Sequence, residues 1–201
     1  MNNIYPIFDS ILSKANKEQL LKQKSLVIWM VGLSGSGKST LARSFENNLH
    51  KMGFLTQLLD GDNLRVGINN NLGFSEEDRI ENIRRAAEVS KLFSSCGVIT
   101  ICSLISPTET IREMAKGIIG KENFFEVFVN SPIEVCEARD VKGLYAKARK
   151  GEIKNFTGID SPFEYPSAPN LELRTDLEDL EACQTKLLEA ILPKVSYNNN
   201  N

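Results

Sequence analysis

The sequence predicts an α/β fold, a parallel sheet with helices on both faces. Three short apolar runs, residues 26–31, 98–105 and 124–129, are separated by stretches whose apolar residues recur at helical spacing. Nearly unbroken apolar strands belong to a sheet covered on both sides, and strands alternating with helices give parallel pairing. A glycine-rich turn closes the first run and opens a helix, a junction at which such sheets build their sites. With 201 residues, 41% hydrophobic and 25% charged, the chain is long enough to bury one substantial core.

The elements follow in order. Residues 7–22 are weakly amphipathic and predict a docked helix in an N-terminal helical extension, 1–24, of a domain spanning 25–195. After the strand at 26–31, the turn at 32–40 leads into a helix on which Leu41, Phe45, Leu49 and Met52 share a face, ending near Gly53. A second strand, 54–59, runs into Asp60-Gly61-Asp62-Asn63, a strand-end loop. Ser75 is placed to cap a helix reaching Ser95, with Glu76, Glu77 and Asp78 at the positive end of its dipole and Gly97 as its stop. Ile80, Ile83 and Ala87 form its core stripe. Residues 98–105 are a strand, Pro107 starts a helix, and 124–129 are a strand broken only by Glu126. Residues 140–154 are rich in Lys and Arg with few core-forming side chains, which predicts a mobile helical lid near 140–157. Residues 171–173 form a short last strand, and 176–192 a closing helix seated on Leu177, Leu180, Leu187 and Ile191. The Asn-rich residues 196–201 predict a disordered tail.

Composition narrows the function classes. No apolar run approaches the roughly 18 residues of a membrane span. The N-terminus has no cationic segment followed by an apolar one, so a cytoplasmic protein without a secretory leader is expected. Cys96, Cys102, Cys136 and Cys183 form no CxxC pair and are expected to be mostly buried, not disulfide-bonded or zinc-bound. A net charge of −2 argues against a nucleic-acid partner, which needs a cationic surface.

The chemistry is concentrated in the first turn. Gly32, Leu33, Ser34, Gly35, Ser36, Gly37, Lys38 and Ser39, followed by Thr40, fit the phosphate-binding pattern G-x-x-x-x-G-K-[ST] in its required place between strand and helix. Glycines there let backbone N–H groups converge on phosphate oxygens, an exposed Lys38 reaches the β- and γ-phosphates, and Ser39 can hold Mg²⁺. A nucleotide-binding P-loop domain is predicted, with the reaction to be read separately from the acceptor side. Asp60 and Asp62 lie at a strand's carboxyl end, where a carboxylate can take a hydroxyl proton or support the metal, and Arg65 can bind an anion. Arg79 and Asn82, three apart on one helix, can point together at a ligand, whereas Arg84 and Arg85 read as solvated surface. The strand at 98–105 holds no Asp or Glu, so metal support falls to the Asp60/Asp62 loop. A switch GTPase or motor ATPase fits less well.

These segments resemble the adenylylsulfate kinase family, whose enzymes phosphorylate the ribose 3′-hydroxyl of adenosine 5′-phosphosulfate. GLSGSGKST (32–40), LDGDNLR (59–65), LGFSEEDRIENIRR (72–85), LISP (104–107), CEARD (136–140) and KGLYAKARKGEIKNFTGIDSPFE (142–164) carry the likeness across most of residues 25–175. The resemblance implies ATP and adenosine 5′-phosphosulfate as substrates in sulfate assimilation, Lys38 and Asp62 as catalytic groups, and Asp60 with Ser39 close to Mg²⁺. It implies that Arg65, Arg79 and Asn82 bind the phosphosulfate, that Phe74 and Phe156 sandwich its adenine, and that Lys142 and Leu144 belong to the lid. Ser106 is similar to a serine marked in the family as a phosphoserine intermediate. Direct in-line transfer needs no enzyme nucleophile, and a strand-end serine that shapes the site is the other reading. A homodimer and a partnership with the sulfurylase that makes the substrate are also implied.

The chain departs from the family pattern at Val66, at Val141 in place of a common proline, and at Ala146 in place of a common lysine, which bears on lid stiffness and substrate affinity. Two other functions stay open: another small-molecule P-loop kinase, and a nucleotide-binding regulatory or scaffold subunit. The intact Lys38, Ser39 and Asp62 speak against the second.

Overall fold

The computed structural model describes residues 3–7 and 10–197. Five parallel strands, β1 (Val27–Val31), β2 (Thr56–Asp60), β3 (Ile99–Ser103), β4 (Phe124–Asn130) and β5 (Leu171–Arg174), form one sheet in the order β2-β3-β1-β4-β5. The helices are α1 (Lys14–Leu21), α2 (Lys38–Lys51), α3 (Gly61–Val66), α4 (Glu76–Ser95), α5 (Glu109–Ile119), α6 (Ile133–Arg139), α7 (Leu144–Arg149) and α8 (Leu180–Val195). Among the described residues, no helix is long and apolar enough to cross a membrane.

β1 is central and buried along its whole length, as its unbroken apolar run requires. The pleat sends Ile28 and Met30 to one face, against Leu41, Phe45 and Leu49 of α2 and Leu187 and Ile191 of α8. Val27, Trp29 and Val31 meet Ile83 and Ala87 of α4 and Ile111 and Ala115 of α5 on the other. Three of the four cysteines are buried, Cys96 is exposed, and all are free thiols.

Several elements differ from expectation for identifiable reasons. α1 starts only at Lys14, where Ser13 forms a capping box with Asn16; residues 8 and 9 of the expected helix lie outside the described residues. The second strand starts at Thr56 and takes in Asp60, which pairs with Ser103. Met52 is a half-exposed C-cap. Ile80 is 39% exposed and stays out of the core; Ala86 joins Ile83 and Ala87 instead. Thr108, not Pro107, precedes α5. The Asp179 carboxylate caps α8 by accepting from the Ala182 amide, so Leu177 stays outside the helix and exposed, and Leu180 is 43% exposed. In the lysine-rich segment, α7 buries Tyr145 and Ala148, contrary to the expected scarcity of core-forming side chains. Of the expected tail, Ser196 bridges Gln23, and 198–201 lie outside the described residues.

The close approach of β1's end to β4 leaves no room for a side chain at Gly32. A Cβ there would lie 2.4 Å from the Val129 carbonyl oxygen. Gly32→Ala is expected to lower unfolding free energy by about 1–3 kcal/mol, from overpacking against a backbone atom that cannot move freely. Urea denaturation checks this, and an unchanged midpoint would contradict it.

Candidate active site

All the sequence-predicted site residues except Gly32, Leu33 and Ser36 line one cleft of about 590 Å³ at the carboxyl edge of the sheet. The other three are buried. The cleft has a phosphate-loop end and an acceptor end, with Asp60 and Asp62 between them.

At the phosphate-loop end, Lys38 is not exposed as expected but 7% accessible. Its Nζ donates to the carbonyls of Gly32 at 2.8 Å and Leu33 at 2.7 Å. Burial pushes its pKa down to about 8. The next three carbonyls are also held. Tyr145 Oη donates to Ser34 O at 2.9 Å, Arg139 Nη1 to Gly35 O at 3.3 Å, and Thr175 Oγ1 to Ser36 O at 2.7 Å. Because a trans peptide is planar, fixing each carbonyl also fixes the next residue's N–H, which lies in the same plane and points the opposite way. Among the described residues, the amides of Ser34, Gly35 and Gly37 donate to no protein acceptor, which leaves them for an anion. Gly37, at φ +98°, turns the chain into α2 in a conformation that disfavours other residues.

Ser39 Oγ donates to Asp60 Oδ2 at 2.6 Å and lies 3.2 Å from Ser103 Oγ. The other Asp60 oxygen accepts from the Asp62 amide at 3.1 Å, capping α3. A hydroxyl and a carboxylate side by side are hard oxygen donors, the partial set that Mg²⁺ takes when phosphate and water fill its other positions. No group of three or more His, Cys, Asp or Glu among the described residues is arranged as a complete metal cage. Asp62 itself is exposed and paired with Lys142.

The acceptor end is cationic and aromatic. The Arg65 guanidinium lies 4.3 Å from the centroid of Phe74 and donates to Gly73 O at 2.6 Å. Arg79 ties together the two loops that carry Phe74 and Phe156, donating to Phe74 O at 3.0 Å, to Thr157 Oγ1 at 2.5 Å and to Asn155 O. Burial, then the charge of Arg79, lowers the pKa of Arg65; burial lowers that of Arg79. A bound anion would relieve both. Asn82, buried, accepts from Asn69 Nδ2 at 3.0 Å through its Oδ1 and keeps its own NH₂ group to donate. Leu144 begins α7 beside Lys142.

Three placements refine the sequence reading. Ser106 is 1% exposed with φ +49°; its Oγ accepts from Trp29 Nε1 at 3.0 Å and its carbonyl from Arg112 Nη1 at 3.0 Å. Arg84 is surface paired with Glu81, but Arg85 is not merely solvated: it donates to Ile68 O at 2.9 Å and Asn71 Oδ1 at 2.8 Å, holding the loop before α4. Arg139, Tyr145 and Thr175 were missed as site residues. For Tyr145 a signal existed, one large ring in a segment of lysines and small residues.

A phosphate loop, a hydroxyl–carboxylate pair beside it and a cationic, aromatic acceptor end define a phosphotransferase of the P-loop kinase class. The family description for adenylylsulphate kinase matches residues 24–174. The adenylyl-sulfate kinase of Bacteroides fragilis is 62% identical over 195 residues, covering 97% of this chain and 96% of that protein. That of Clostridium acetobutylicum is 54% identical over 178 residues, covering 89% and 88%. The structure of Mycobacterium tuberculosis APS kinase CysC in complex with AMPPNP and APS matches with a TM-score of 0.81 at 43% identity, over 84% of this chain and 98% of that one. The chain belongs to the adenylylsulphate kinase family.

The position of Lys38 has a pH consequence. In the free protein its ammonium is lost as pH rises through about 8, while nucleotide phosphates favour the charged form. ADP binding at about pH 8.5 is therefore expected to take up protons, and affinity to fall at higher pH. Calorimetry in buffers of differing ionisation heat measures this. Lys38→Met should abolish the uptake, and buffer-independent heats in the unsubstituted protein would contradict it.

Proposed function

We propose that this chain transfers the γ-phosphoryl group of ATP to the ribose 3′-hydroxyl of adenosine 5′-phosphosulfate, releasing ADP and 3′-phosphoadenylylsulfate. The observation that carries this is the pairing of two unlike ends in one cleft: Lys38 with a phosphate loop at one, two arginines with two aromatic rings at the other. Phosphoryl transfer asks the protein chiefly for positioning and for charge stabilisation.

In this reading the free amides of the phosphate loop and Lys38 hold the triphosphate. Ser39 and Asp60 would hold Mg²⁺, which supplies charge neutralisation between the phosphates when bound. Arg65, Arg79 and Asn82 donate to the phosphosulfate, and Phe74 and Phe156 stack on its adenine. Asp62, exposed at the midpoint, orients the 3′-hydroxyl and accepts its proton, while Lys142 sits above it on the acceptor-side lid, 140–157 of a domain spanning 25–195. Transfer is direct. Ser106 Oγ is buried and bonds the Trp29 indole, and among the described residues no carboxylate or imidazole bonds it to remove its proton.

The reading extends to a homodimer, supported by the exposed apolar side chains of Ile4, Tyr5, Ile7, Ile11 and Leu12. A cytoplasmic location suits the free cysteines. A sulfurylase partner is part of the same proposal, and co-purification under native conditions tests it.

An ATP-coupled assay comparing adenylyl sulfate with AMP, shikimate and gluconate decides the acceptor. Turnover is expected with the first alone, and no turnover with any would favour the scaffold function. Arg65→Ala should raise the acceptor KM far more than that for ATP, by about 1.5–3 kcal/mol for a lost charged hydrogen bond. Equal effects on both substrates would show a global role instead. Asp62→Ala should lower kcat by on the order of 10²–10⁴, whereas Ser106→Ala should keep substantial activity. A stoichiometric phosphoserine at Ser106, seen by intact mass with ATP alone and discharged by adenylyl sulfate, would overturn direct transfer.

A further inference from the structure

We infer that Tyr145 is a positioning residue through which nucleotide on the phosphate loop orders the acceptor-side segment, and through which that segment in turn holds the loop. α7, which carries it, has only six residues, too few to be a stable helix without outside support. Support comes from two directions. The Asp140 carboxylate accepts from the amides of Tyr145 at 3.1 Å and Ala146 at 3.0 Å, fixing the start of the helix. The Tyr145 side chain, 1% exposed, packs with Leu33 and Cys136 and sends its hydroxyl to Ser34 O at 2.9 Å.

The same ring meets Phe156 edge-on, with centroids 4.9 Å apart and planes at 75°. One side chain therefore touches both the phosphate loop and the aromatic shelf of the acceptor end. That Phe156 meets the acceptor's base belongs to the function proposed above, on which this part of the coupling rests. Ser34 O has no other bonding partner among the described residues, so Tyr145 supplies the one hydrogen bond that holds the carbonyl of the peptide carrying the Gly35 amide. A phosphate held by that amide fixes the same plane, hence the Ser34 carbonyl, hence the phenol and the ring beneath Phe156. Burial raises the pKa of the phenol, which stays a donor through neutral pH. The link is an energetic coupling between two sites, and as such acts in both directions.

Tyr145→Phe tests it, since the ring and its contacts stay and only the O–H is removed. Three measurements are made on the full chain: calorimetric binding of ADP, trypsin cleavage at the exposed Lys147, Lys150 and Lys154 with and without ADP, and ligand-free melting. The expected result is ADP binding weakened on the order of three- to tenfold, loss of ADP-dependent protection at these lysines, and melting close to the unsubstituted protein. Unchanged ADP affinity would overturn the inference. So would weaker binding with protection intact, or weakening matched by a general loss of stability, either of which would make the hydroxyl a packing group only. None of the three needs an acceptor, so they report on Tyr145 whatever the substrate assay shows; failure of the proposed acceptor appears in that assay alone.

Discussion

Five consecutive carbonyl oxygens, those of Gly32 to Ser36, accept hydrogen bonds from four side chains, and the rest of the site depends on that arrangement. A loop that offers its amides to phosphate has no ladder to satisfy its carbonyls, and buried carbonyls without partners are costly. The partners come from separate parts of the chain: Lys38 at the start of α2, Arg139 at the end of α6, Tyr145 in α7 and Thr175 just after β5. The sheet brings these together because strands β1 and β5 both deliver their carboxyl ends to the same edge. The amide cradle is thus a product of tertiary structure as much as of its glycines.

The cations of the cleft obey a similar rule. Without substrate, Lys38 and Arg139 bond loop carbonyls, Arg79 bonds two carbonyls and a hydroxyl, and Lys142 pairs with Asp62. Each charge already has a partner, which burial demands of Lys38. Binding a phosphate or phosphosulfate exchanges such bonds for stronger charge-assisted ones, without first desolvating a bare cation. The depressed pKa values of Lys38, Arg65 and Arg79 share burial as their leading cause, and anions are the ligands that relieve it.

The sheet, its parallel sense and the phosphate loop were legible because each rests on local pattern: apolar runs, helical periodicity and a fixed spacing of glycine, lysine and serine. The start of α4 was legible for the same reason, since Ser75 accepts from the Asp78 amide as its position predicts. Errors fall where distant parts of the chain decide. Ile80 has the right spacing for the core but is 39% exposed, Ala86 taking the core position, and Leu177 precedes a cap its own periodicity could not reveal. Lys38 reads as an exposed loop lysine until its carbonyl acceptors are placed. Arg139, Tyr145 and Thr175 carry no motif for their function, because their acceptors are backbone atoms more than thirty residues away in sequence.

The one charge in β4 completes the picture. Glu126 interrupts the apolar run 124–129 of β4, and sequence alone offers no reason for it. Its carboxylate lies 3.5 Å from Arg112 Nε, an ionic contact rather than a hydrogen bond, while Glu109 meets Nη2 at 2.5 Å. Arg112, 2% exposed, uses Nη1 to hold the Ser106 carbonyl. Ser106 has a left-handed backbone, a conformation that costs on the order of 1–3 kcal/mol for such a residue and persists only when its surroundings over-determine it. Trp29 secures its hydroxyl and Arg112 its carbonyl, and Glu126 lessens the cost of burying the arginine. A chain of partners thus runs from a sheet-interior carboxylate to the rim of the cleft. It accounts for an out-of-place glutamate and a strained serine together, as the support of a fixed wall beside the reacting groups.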